Sequence, residues 1–252
     1  VTFGIGSTTL PEDAAHDIRE SLRAIVVRNL ERVLAFDPFK HFEDVETREA
    51  FASLLESDPA FAPFSLANAK YIAARLGGNL ITSLHRKLGD LYQEIFLQLL
   101  RVHFQLPEEN LTFSIEIEID GNKQKRSTDG MIPHALLSEA ERERLVTLLN
   151  FNRVGTAFEV RSCYQIGDSK RIQADRDMAL ALRAKDIEPV MLIFCKTSLR
   201  APVVRLRNYW QLYEGQAAFD FVRALTIVDL QAFLQQERST IQPIMQRIFD
   251  LI

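Results

Sequence analysis

Apolar residues in the first part of the chain recur at every third or fourth position, the period of a helix with one buried face. Ile18, Leu22, Ile25, Val26, Leu30 and Val33 form one such stripe and predict a helix from Pro11 to Phe36, ended by Pro38. A second helix is expected from Asp44 to Leu55. A third is expected from Leu66 to Leu76, where Gly77-Gly78 stops it. The fourth and longest covers about Leu80 to His103, with Leu84, Leu88, Leu91, Ile95, Leu99 and Val102 on one side and Leu106-Pro107 closing it.

The period then changes. Phe113, Ile115, Ile117 and Ile119 alternate with Ser114, Glu116 and Glu118, one face apolar and one polar, as in a half-buried strand. Asp120-Gly121-Asn122 is a hairpin turn signal, and the return strand leads into the strand-like segment Ser127 to Ile132. Leu137 to Leu149 reads as a helix with Ser138 as cap. After Gly155 comes a strand from Thr156 to Ser162. Gly167-Asp168-Ser169 is its turn and the cap of a helix from about Lys170 to Ala184. Pro189 to Cys195 is a short continuous apolar run, typical of a strand buried on both faces. Strand, helix, strand predicts a right-handed crossover. Two further helices are expected near Val204 to Leu225 and Val228 to Leu251, the last kinked at Pro243. The pattern predicts an α/β protein: a central mixed sheet flanked by helices, with a helical N-terminal region. The element type changes near residue 110, so residues 1–110 form the helical region and 111–252 the α/β core, continuous as one domain.

Composition adds limits. The chain has 252 residues, 47% hydrophobic and 25% charged, enough for a substantial core. No apolar run reaches the ~20 residues of a membrane helix, so no membrane partner is expected. The opening Val1-Thr2-Phe3-Gly4-Ile5-Gly6 lacks the basic flank and apolar segment of a signal peptide. Two cysteines, Cys163 and Cys195, are too few for a disulfide framework or a cysteine zinc site, and point to a reduced, cytoplasmic protein. A net charge of −4 argues weakly against a general polyanion binder but leaves room for local basic patches.

The candidate chemistry lies in two strands. Glu159 and Arg161 are two apart, so the pleat puts both on one face, with Phe158 and Val160 on the other. Asp129 sits at the start of an earlier strand. Carboxylates bind a hard divalent cation through oxygen, and a cation beside them faces an anionic substrate, so the set suits metal-dependent phosphodiester hydrolysis.

The order hairpin, Asp strand, Glu-x-basic strand, helix, parallel strand resembles the PD-(D/E)xK nuclease superfamily over roughly residues 111 to 195. Within it the chain looks most like a type II restriction endonuclease, the ApaLI-like branch being the narrower likeness. The resemblance implies a restriction-endonuclease-like fold and Mg2+ held by Asp129, Glu159 and the backbone carbonyl of Val160. It implies water attacking phosphorus in line, and Glu94, on the long helix before the hairpin, as a supporting acidic residue. It also implies restriction of a palindromic double-stranded DNA site by a two-fold homodimer. Leu230, Phe233 and Leu234 are candidates for the dimer contact.

Each residue also has a plainer reading. Asp129 before Gly130 could be a turn aspartate. Glu159 could pair with Arg176 or Arg183 on the next helix, and Glu94 could be a solvated helix residue. His85, His103 and His134 share no metal-ligand spacing. The family carries lysine where this chain has Arg161, and arginine cannot act as a general base. Three readings stay open: Arg161 supplies the cation, Lys170 at the start of the following helix supplies it, or the chain is an inactive relative.

Expected DNA contacts are Lys123, Lys125 and Arg126 on the hairpin and Lys196, Arg200, Arg205, Arg207 and Asn208 after the buried strand, interleaved with Tyr209 and Trp210. Arginine and asparagine can read base edges, and lysine mostly contacts phosphate. The plainer reading is a solvated charge cluster over an aromatic core stripe. Two rival functions remain: a nuclease-fold protein that binds DNA without cutting, and a helical interaction protein in which Glu159 and Arg161 are a structural ion pair.

Overall fold

The computed structural model describes residues 12–40, 42–119, 122–165 and 169–252. The turn residues Asp120 and Gly121, and Gly167 and Asp168 before the later helix, lie outside the described residues. The described chain is mixed α/β, with a helical N-terminal region. It packs as two compact units, one of Val1–Ile25 with Leu91–Gln236 and one of Val26–Asp90 with Glu237–Ile252.

Helix α1 (Glu12–Leu34) carries the predicted stripe, with Leu22, Val26, Leu30 and Val33 almost fully buried. Helix α2 (Arg48–Ser57) starts where Thr47 caps it, its hydroxyl accepting the Ala50 N–H at 3.1 Å. It buries Phe51 and Leu55 with Val45, Ile72 and Leu76 in the core of the second unit. The third and fourth predicted helices are one, α3 (Ala69–Phe104), 36 residues long, and Gly77-Gly78 does not stop it. Ile72, Leu76, Leu80 and Leu84 stay in phase across the glycines, all buried, and that burial outweighs the ~1 kcal/mol each glycine costs a helix.

After a one-turn α4 (Glu108–Leu111) comes an antiparallel hairpin, β1 (Ser114–Ile119) and β2 (Asn122–Ser127). Its register pairs Ile119 with Asn122. Strand β3 (Gly130–Pro133) leads through α5 (Glu139–Leu149), opened by a capping box between Ser138 and Glu141, to β4 (Gly155–Arg161). Helix α6 (Ser169–Ala184) then crosses to β5 (Ile187–Ile193), parallel to β4. All seven residues of β5 are buried, as the apolar run implied.

The C-terminal part corrects the reading. The helix expected over Val204 to Leu225 is α7 (Arg200–Leu206), a fourth strand β6 (Gln211–Glu214) and α8 (Gln216–Thr226). A four-residue strand shows too little alternation to interrupt a helical period on either side. Gly215 ends β6 at φ 60, where a Cβ would come within 2.5 Å of the Lys196 stem. The last expected helix is divided at Glu237 into α9 (Leu230–Gln236) and α10 (Arg238–Phe249), with Pro243 inside α10.

Strands β3-β4-β5-β6 form one mixed sheet in that order, β3 antiparallel and β5 and β6 parallel. On one face Phe158 meets Phe96 of α3 at 4.9 Å between ring centroids and Phe221 of α8 at 6.3 Å. On the other, Ala157, Met191 and Ile193 pack with Met178, Ala179 and Leu182 of α6 and with Leu206 and Trp210. Glu159 and Arg161 point to that second face, under α6.

Candidate functional site

Asp129 stands one residue before β3, and its N–H bonds the Phe158 carbonyl at 2.9 Å. It lies at a bend beside the strand. The next residue, Gly130, faces α3: a Cβ there would lie 3.1 Å from Leu100 and 3.5 Å from Phe96. The Asp129 carboxylate reaches the Arg161 guanidinium on the face that carries Glu159. Its carboxylate accepts the Val160 N–H at 2.8 Å, which fixes its direction.

Both predicted carboxylates reach one guanidinium. Arg161 forms an ion pair with Glu159 through Nη2, and its Nη1 lies 3.7 Å from Asp129 Oδ2. A third carboxylate comes from α6: Asp175 Oδ1 is 3.5 Å from Nη2. Asp175 is itself held, since the Tyr164 hydroxyl donates to its Oδ2 and the Trp210 indole N–H donates to its backbone carbonyl at 2.9 Å. Glu159 and Asp175 are each only 7% exposed.

The charge balance decides how this cluster behaves. Three carboxylates against one guanidinium leave a formal charge of −2 when all are ionised, in a site with little water to spread it. Burial, opposed by Arg161 and reinforced by Asp129 and Asp175, pushes the Glu159 carboxyl up to about 8. Burial also raises Asp129, against the pull of Arg161 and the Val160 N–H. Although burial by itself disfavours its charge, the surrounding carboxylates hold Arg161 ionised well beyond the usual range. The cluster is short of positive charge. The Nε–H of Arg161 is also buried without an acceptor.

A divalent cation between Asp129 and Glu159 would balance the formal −2, and the hard oxygen donors suit magnesium. Among the described residues no group of three or more His, Cys, Asp or Glu forms a ready metal cage. The donors available are thus two carboxylates and the Val160 carbonyl, which lies 3.5 Å from Arg161 Nη1.

The other sequence candidates are distributed as follows. Glu159 pairs with Arg161, and Arg176 instead bonds Asp177 at 2.7 Å. Glu94 is half-buried on α3, which packs on the opposite face of β4; the third carboxylate at Arg161 is Asp175. Lys170 is exposed in the first turn of α6, where the cation whose field lowers Asp129 and Glu159 is Arg171. His134 bonds Thr156 at 2.9 Å in the core.

Lys123 and Lys125 are exposed on β2, Lys125 opposite Glu116, and Arg126 is half-buried opposite Ile115. Lys196, Arg205 and Asn208 are exposed. Arg200 and Arg207 both bond the Glu214 carboxylate, at 3.2 and 3.1 Å, so much of their charge is already answered. Trp210 is a core residue, 2% exposed. Leu230 and Phe233, expected at a dimer contact, are buried within the chain's own packing because α9 folds onto α8.

Asp175, Tyr164 and Arg171 escaped the sequence reading. Asp175 had a signal: it occupies the apolar stripe Ile172, Asp175, Ala179, Leu182 of α6, where an aspartate needs a partner. In the second unit a cavity of about 440 Å3 is lined by Arg32, Lys40, Arg86 and Lys87 against the single carboxylate of Asp37. No helix among the described residues is long and apolar enough to cross a membrane. No protein-family model matches the chain, and no curated protein matches it.

Proposed function

We propose that this chain is a magnesium-dependent, site-specific endonuclease of double-stranded DNA, of the type II restriction kind, on a restriction-endonuclease-like core. The observation that carries the reading is the convergence of Asp129 and Glu159, from two strands, on the guanidinium of Arg161. The raised carboxyls support it: burial, helped by the neighbouring carboxylates, disfavours their charge, and a divalent cation relieves that.

Asp129, Glu159 and the Val160 carbonyl would hold the magnesium. Bound there, it would supply Lewis acidity toward a phosphate oxygen and acidify water. The Val160 N–H keeps the Asp129 carboxylate aimed while β4 presents Glu159 beside it. Arg161 has a guanidinium large enough to hold the carboxylates and offer its remaining donors to a phosphate, stabilising charge that grows there in the transition state. Asp175, anchored by Tyr164 and Trp210, positions Arg161. Arg171 adds positive field from the start of α6. The exposed Lys123, Lys125, Lys196, Arg205 and Asn208 are the groups best placed for DNA backbone and base edges. A palindromic target would call for a two-fold homodimer whose contact lies away from the buried Leu230 and Phe233.

One observation favours a second reading, a nuclease-fold protein that binds DNA without cutting. Arg161 already faces three carboxylates, which compete with phosphate for its donors. Incubation with plasmid DNA and magnesium, followed by mapping of the ends, separates the two. Discrete ends that vanish with EDTA are expected. Intact plasmid together with a gel shift would select the second reading, and neither cutting nor shift would reject both.

A further inference from the structure

The chain contains two cysteines, Cys163 and Cys195, and the fold sets them face to face. Strands β4 and β5 run in parallel with Arg161 opposite Ile193. Backbone bonds from Phe194 N–H to the Arg161 carbonyl (3.1 Å) and from Cys195 N–H to the Ser162 carbonyl (3.0 Å) carry the pairing past the strand ends. Cys163 and Cys195 lie at the end of these bonded segments. Neighbouring strands lie ~4.8 Å apart, inside the ~4.4–6.8 Å range of Cα separations that a disulfide spans.

The side chains meet as well. Each thiol is close enough to shift the other's ionisation. Ser198 Oγ lies 3.3 Å from Cys195 Sγ and 3.9 Å from Cys163 Sγ, and the same oxygen accepts the Tyr164 N–H at 3.0 Å. Both cysteines are half-buried, within reach of a small reagent. Two cysteines scattered by chance over 252 residues would seldom come to share one hydroxyl.

We propose that Cys163 and Cys195 form a reversible dithiol–disulfide pair, a modification site for low-molecular-weight disulfides at the carboxyl ends of β4 and β5. The two sulfurs have different roles. Burial pushes the Cys163 thiol up to about 11, helped by its bond to Cys195. For Cys195 burial also acts upward, but hydrogen bonds from Cys163, Ser198 and Thr197 outweigh it and the thiol falls below its ordinary value. Cys195 is the attacking thiolate. It displaces one thiolate from the oxidised small disulfide and forms a mixed disulfide. Cys163 then loses its proton to solvent, attacks the Cys195 sulfur and expels the second small thiolate. The net reaction oxidises two protein thiols to one disulfide and reduces one small disulfide to two thiols, which take up the two protons. The bond would tie the strand ends just before Tyr164, the residue that holds Asp175 against Arg161.

The test needs no nuclease activity, so it stands apart from the function proposed above. The reduced protein is equilibrated with oxidised glutathione, quenched with an alkylating reagent and weighed intact by mass spectrometry. The expected product has lost two hydrogens, carries neither glutathione nor alkyl groups, and returns to the dithiol with excess reductant. Cys163→Ser should stop at a single glutathione adduct on Cys195, and Cys195→Ser should react at least tenfold more slowly than Cys163→Ser. Wild-type protein that stays fully alkylatable, or that gathers glutathione on both sulfurs without an internal bond, would overturn the proposal.

Discussion

The Asp129 carboxylate accepts the backbone N–H of Val160 at 2.8 Å, from a residue that itself lies between Glu159 and Arg161. This bond ties the start of β3 to the carboxyl end of β4 and sets the two carboxylates beside one cation, although thirty positions of chain separate them. Mutations around it should therefore divide cleanly between chemistry, charge and scaffold.

Glu159→Gln keeps the shape of the side chain and removes a charge that holds magnesium. Cutting should fall by about a hundredfold or more, since a metal's stabilisation of transition-state charge amounts to several kcal/mol. DNA binding should be largely kept. Cleavage and gel shift on one substrate check this, and full cutting by the variant would remove Glu159 from the metal site.

Arg161 should tolerate lysine better than alanine. Arg161→Lys restores a compact cation and should keep or raise activity, while Arg161→Ala should lose about a hundredfold, as for removal of one stabilising group. Lys170→Ala should matter much less, because Lys170 is exposed and the cations acting on the carboxylates are Arg161 and, more weakly, Arg171. Initial rates of plasmid nicking would rank the three. A dead Lys170→Ala beside a near-normal Arg161→Ala would move the cation to α6.

Stability without metal should depend on pH through Glu159. Its folded value, about 8, lies above the ordinary 4.5, so folding favours the protonated form. That contribution is fully present below about 4.5 and is lost as pH rises through about 8, with a limiting slope of ~1.4 kcal/mol per pH unit. In EDTA the melting temperature of the wild type should fall relative to Glu159→Gln between pH 5 and 9, and magnesium should flatten the fall. Parallel curves would mean that Glu159 titrates normally.

Glu214 should mask two of the arginines expected to contact DNA. Lys123→Ala with Lys125→Ala should flatten the salt dependence of binding by ~0.9 log unit per lost phosphate contact. Glu214→Gln releases Arg200 and Arg207 and should steepen it. Unchanged slopes in both variants would put the DNA on another surface.

Gly78 has nothing within 4 Å of where a Cβ would stand, and it lies inside α3. Gly78→Ala should stabilise the helix by ~0.5–1 kcal/mol, a rise of about one to four degrees in melting temperature. A lower melting temperature would show that the glycine serves a bend or a contact.

Much of this protein could be read from residue order alone. The α1 stripe, the β1–β2 hairpin, the Ser138 cap of α5, the buried run of β5 and the pair Glu159 and Arg161 on one strand face all follow from local period and turn chemistry. Those signals are complete within a few neighbouring residues, so no partner from elsewhere is needed to see them. The continuity of α3 through Gly77-Gly78 depended on burial along the whole helix, and β6 depended on an edge offered by β5. The third carboxylate, the Val160 N–H that aims Asp129 and the Ser198 hydroxyl shared by Cys163 and Cys195 depend on contacts between residues 14 to 35 positions apart. Only the tertiary structure decided these, because a crossover and a sheet register determine which distant side chains share one low-dielectric space, and no local period records that choice.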